Sequence, residues 1–80
     1  MKKTLDPAEA QDRQIFADVY RFFMKYRDTP PTEELLEAYM AEMVALSKVH
    51  DNHPLFVSMI VGASDELDRR WAAKIREKIA

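Results

Sequence analysis

Eighty residues, 48% apolar and 32% charged, are the composition of one ordinary globular domain. Without cysteine the chain has no disulfide and no thiolate metal site, and a single glycine excludes a glycine-rich phosphate loop. The formal net charge of −2 hides a segregation, with +2 over residues 1–27, −8 over 28–68 and +4 over 69–80.

Residues 1–5 read as a frayed lead-in. Asp6-Pro7-Ala8-Glu9 is a helix start: Asp6 can accept a backbone N–H, Pro7 suits the first helical position, and Glu9 can bond back. Ala8, Ile15, Phe16, Val19, Phe22, Phe23 and Tyr26 then recur at helical spacing, which predicts a first helix over about 7–27. Asp28-Thr29-Pro30-Pro31 ends it, because both prolines lack the amide donor.

Thr32 followed by Glu33 and Glu34 restarts a helix over about 33–49. Its expected core face is Leu35, Leu36, Tyr39, Met43 and Leu46, with His50 at its end. Met40 and Val44 lie beside that stripe, where they either widen the core or form an exposed patch. In the second break, His50-Asp51-Asn52-His53-Pro54, Asn52 or His53 caps a third helix that Pro54 opens.

Phe56, Ile60, Ala63, Leu67, Trp71, Ile75 and Ile79 stay in helical phase over 54–79, through Gly62. The alternative is a break at Gly62 with a new start at Ser64-Asp65-Glu66. Continuity is favoured by the phase and by the i,i+4 pairs Asp65–Arg69 and Glu66–Arg70. The expected fold is therefore an all-α, single-domain, three-helix arrangement. Phe16, Val19, Phe23, Leu36, Tyr39, Met43, Leu46, Phe56, Ile60 and Leu67 are its predicted core. The third helix is the longest and overhangs its partners, with Trp71, Ile75 and Ile79 packed on the start of the first helix or left open.

Catalytic chemistry is poorly represented. No serine sits in a nucleophile-elbow turn, and Glu33, Glu34 and Glu37 read as a solvated helix start. His50 and His53 supply two of the three or four ligands a metal needs. No catalytic residue, cofactor or metal ligand is assigned, and the chain is expected not to be an enzyme.

The remaining candidates are surfaces. Acidic Glu33, Glu34, Glu37, Glu42, Asp65, Glu66 and Asp68 could meet a basic protein, and Trp71, Ile75 and Ile79 an apolar one. Arg69, Arg70, Lys74, Arg76 and Lys78 form the alternative, a basic strip for nucleic acid. Short domains without disulfides or metals often self-associate, so a homodimer is a further expectation. The longest apolar run, Leu55–Ala63, is far shorter than the roughly 20 residues of a membrane span, so a cytoplasmic protein is expected.

Phe16-Ala17-Asp18-Val19-Tyr20-Arg21-Phe22-Phe23, the proline break, Tyr39 and His53-Pro54-Leu55-Phe56 resemble short helical proteins of Gram-positive prophages and mobile elements. The resemblance covers about residues 15–70. It implies a bacterial cytoplasmic setting and an accessory or regulatory role, and transfers no residue roles.

Overall fold

Each helix begins where its own sequence caps it. In a computed structural model, which describes residues 6–29 and 32–79, the elements are α1 (Pro7–Tyr26), α2 (Glu33–Val49) and α3 (Pro54–Ile79). The lead-in 1–5 and the Pro30-Pro31 break lie outside the described residues, as do the side chains of Lys78 and Ile79. Asp6 accepts the Glu9 amide at 2.9 Å, Thr32 the Leu35 amide at 3.0 Å, and His53 Nδ1 the Leu55 amide at 3.1 Å. All three satisfy N–H groups that a helix start leaves without an internal partner. Asp51 and Asn52 take positive φ, 50° and 52°, and reverse the chain between α2 and α3.

Cross-helix contacts give the direction of each element. The Trp71 indole donates to the Tyr26 carbonyl at 3.3 Å, and the Arg70 guanidinium lies 5.0 Å from the Phe23 ring centre. At the other end Phe56 stacks on His50, whose ring binds Asp18. Thus α1 and α3 run parallel, with α2 antiparallel to both. The C-terminal part of α3 therefore meets the end of α1, not its start as one sequence reading had it. Residues beyond Trp71 extend past the end of α1.

The core joins Ile15, Val19, Phe22 and Tyr26 of α1, Tyr39 of α2, and Phe56, Ile60, Leu67 and Trp71 of α3. Phe22, Tyr26, Tyr39 and Trp71 form one aromatic group with ring centres 5.1–5.3 Å apart. Tilted and edge-on contacts of this kind add to the area that such rings remove from water.

Two expected core residues are not in it. Phe16 is 55% exposed and Leu36 40%. A helix turns about 100° per residue, so when Ile15 points at α3 its neighbour Phe16 points along the outer flank. Leu36 is displaced in the same way by half-buried Leu35. Phe23, Met43 and Leu46 are half-buried and pack against the core from its edges.

No break occurs at Gly62: α3 is continuous through it, without positive φ and with open space where a Cβ would stand. Gly62→Ala is therefore expected to stabilise the domain by about 0.5–1 kcal/mol, raising Tm by about 3–6 °C. A thermal melt showing a lower Tm would contradict a continuous helix with an open flank at this position.

Candidate functional site

The acidic residues do not form one free patch. Glu42, on the α1 side of α2, accepts from Lys25 Nζ at 3.0 Å and from the Tyr26 hydroxyl at 2.7 Å. Glu66 is held between Arg69 (Nε 2.9 Å) and Arg70 (Nε 2.8 Å), and these hydrogen bonds hold its carboxyl at about 2. Asp65 and Asp68 lie on the α2 side of α3. Burial, above all, pushes the Tyr39 phenol up, the nearby Ser64 hydroxyl works against it, and the charges of Asp68 and Asp65 add to the rise. The Tyr39 hydroxyl is buried without a hydrogen-bond partner among the described residues, and the Ser64 hydroxyl nearby donates to Met43 Sδ at 3.2 Å. Glu33, Glu34 and Glu37 stand exposed on the first turns of α2.

The C-terminal candidates separate as well. Trp71 is 4% exposed and belongs to the core, which removes it from any partner surface. A ring that caps the aromatic group and donates to the end of α1 is already fully used. Ile75, one turn further on, is 47% exposed. Ile79 and Lys78 have side chains outside the described residues. In the basic strip, Arg69 and Arg70 are paired with Glu66, Lys74 is half-buried and Arg76 is exposed.

His50 and His53 serve local structure. His50 Nε2 lies 2.7 Å from Asp18 Oδ2, with both side chains nearly out of water, and the ring stacks on Phe56 at 5.1 Å. His53 caps α3. No group of three metal-capable side chains and no pocket is found among the described residues.

What remains is an apolar face that the residue pattern only half revealed. Leu36, Met40 and Val44 succeed one another at four-residue spacing and are 40%, 57% and 54% exposed. On α3, Val57 and Val61 are 41% and 53% exposed. The Met43–Ser64 contact joins the two stripes: Met43 lies three residues from Met40, and Ser64 three from Val61. The stripes therefore border one another on the α2–α3 flank, opposite the side on which Glu42 reaches α1. Exposed Glu33 and Glu37 edge this face at the start of α2, exposed Asp65 and Asp68 continue the Val57–Val61 stripe on α3, and exposed Lys48 edges the face at the end of α2. Met40 and Val44 were already out of line with the core stripe. Leu36, Val57 and Val61 could have been found by asking for a second four-residue stripe beside it.

No helix among the described residues is long and apolar enough to cross a membrane. Comparison with protein-family models, curated proteins and solved structures finds no match.

Proposed function

We propose that this chain is a non-enzymatic protein-interaction module that docks through the α2–α3 face, acting in a bacterial cytoplasm as an accessory or regulatory protein. The single supporting observation is the contiguous exposed row Leu36, Met40, Val44, Val57 and Val61. Scattered surface leucines and valines need no explanation, but two adjoining stripes at helical spacing do. The exposed carboxylates of Glu33, Glu34 and Glu37 beside them favour a partner with cations at its rim, since rim charges select and steer partners more than they add affinity. The bacterial setting, with its prophage or mobile-element origin, rests on the aromatic and proline pattern alone.

The competing nucleic-acid reading is less well supported, because Glu66 already engages two of the five basic groups. Phosphate contacts would also make such binding steeply salt-dependent.

A photo-crosslinking residue placed at Val44 is expected to give protein adducts in living bacterial cells, and one at exposed Ala38, one turn from Glu42 on the other flank of α2, is expected to give few. Equal adducts at both positions, or nucleic-acid adducts without protein, would remove this reading.

A further inference from the structure

We infer that the partner on the α2–α3 face is a basic amphipathic helix of another protein, its lysines or arginines seated at the end of the face where α2 begins. This rests on the interaction reading above and names the chemistry of the occupant.

The placement of charge is the deciding feature. α2 runs antiparallel to α3, and the Met43–Ser64 contact fixes which levels meet. One turn toward the start of α2 lies Tyr39, which packs edge-on against Trp71, and one turn further along α3 lies Asp68. The first turns of α2 therefore lie beside the Asp65–Trp71 part of α3. Exposed Glu33, Glu37, Asp65 and Asp68 thus converge at the end of the face that holds Leu36 and Met40. Val44, Val57 and Val61 form its apolar remainder, with Lys48 at the far corner.

This acidic end has no counter-charge of its own. Glu42 and Glu66 each hold two donors, whereas none of these four carboxylates takes a side-chain hydrogen bond or ion pair among the described residues. On α3, Arg69 is already held by Glu66, and Arg76 lies about two turns beyond Asp68. Beneath Asp65 and Asp68, the buried Tyr39 hydroxyl is also without a partner among the described residues. Counted with Glu34, the face carries five exposed acids against Lys48. A second copy would set that surplus against itself, and phosphate would be repelled, so the complementary rim is cationic.

The shape points to a helix. No strand edge exists among the described residues, so backbone pairing with an extended peptide is not offered. The apolar residues repeat at four-residue spacing along two antiparallel helices, which suits a third helix laid along them. From Glu33 to Lys48 the face is about 22 Å long, roughly four helical turns.

Fluorescence anisotropy of two labelled synthetic peptides against the full chain tests this. Both peptides are about sixteen residues long, to match the face, and carry the same helical row of leucines. One has lysines beside that row at one end, and the other has glutamates in their place. The lysine peptide is expected to bind saturably and the glutamate peptide not to bind. Glu37→Lys with Asp68→Lys is expected to weaken the lysine peptide by about tenfold, two exposed charge reversals at the rim. Met40→Ala is expected to weaken it by about fivefold or more, as a contact at the centre of the interface. Glu9→Lys with Asp12→Lys, the same charge change on the exposed first turns of α1, is expected to leave binding within about twofold. Circular dichroism confirms that each variant is folded. No binding of the lysine peptide overturns the inference. So does equal binding of both peptides, or an α1 reversal that weakens binding as much as the reversal on the face. If the lysine peptide fails while Val44 crosslinks still join other proteins, the basic helix falls and the interaction reading stands. Val44 adducts of twice the chain's mass alone would make the occupant a second copy and also overturn it.

Discussion

Phe56→Ala is expected to leave the domain largely unfolded at physiological temperature. Phe56 is fully buried, lies near the start of α3 and stacks on His50, so it joins α3 to the α1–α2 contact at that end. Removing a buried phenylalanine ring costs about 3–5 kcal/mol through lost transfer energy and the cavity left behind. A chain of this length has a total stability of about 4–12 kcal/mol, at roughly 0.05–0.15 kcal/mol per residue. The loss therefore takes a large share of the margin and lowers Tm by about 15–30 °C. Ile60→Ala acts on the same layer, one turn away, with a smaller loss of about 2–4 kcal/mol. Far-UV circular dichroism melts check both, and an unchanged melt for Phe56→Ala would mean that this end of the core is not packed around that ring.

The second large effect belongs to Asp18. Its carboxylate is 11% exposed and faces the 5% exposed His50 ring, with Gln14 and Arg21 also donating to it. Burial by itself would push the Asp18 carboxyl up. The hydrogen bonds from His50, Gln14 and Arg21, with the Arg21 charge, outweigh it and hold the group below its ordinary 3.8. Asp18→Ala strips a buried imidazole of its partner, a change that costs about 1–3 kcal/mol.

The pH dependence has a definite sign. A carboxyl whose folded-state pKa is depressed stabilises the fold above its unfolded value of 3.8. That contribution is lost as the pH falls below 3.8 through the lower folded-state value. Urea unfolding across the acid range should therefore show a steeper acid loss for the wild type than for Asp18→Asn, with the two curves converging at the acid end. Acid dependence left in the variant belongs to other carboxylates, Glu66 among them. Parallel curves would show that Asp18 is not held by these donors in the folded chain.

Helix boundaries were the most legible feature because they are decided locally. Asp6-Pro7, Thr32-Glu33-Glu34 and His53-Pro54 each carry their own capping atoms, and each cap forms within three residues. The fine orientation of α1 was less legible. Phe16 and Phe23 sit on the same broad apolar sector as Ile15 and Phe22, and one residue of rotation separates buried from exposed. His50 could be placed in phase with the α2 stripe. Its bond to Asp18 spans 32 residues, and no local pattern encodes such a separation.

The same distinction governs the candidate surface. The acids of α2 and the basic end of α3 were visible as charge runs, but their availability was not. Glu42 and Glu66 look alike on paper to Glu33 and Glu37, yet cations on α1 and α3 have already engaged the first two. Trp71 could have packed on the start of α1 or stayed open, and it joined the core at the other end, because α1 runs parallel to α3 and ends beside it.

By itself, then, the amino-acid sequence determined three helices and the caps of the first two, and favoured the continuity of the third, since each depends on neighbours within one or two turns. The tertiary structure alone decided which side of each stripe is buried, which charges remain free, and that Leu36, Met40, Val44, Val57 and Val61 adjoin. Those outcomes depend on how helices lie against one another, and residues far apart in the chain set that together.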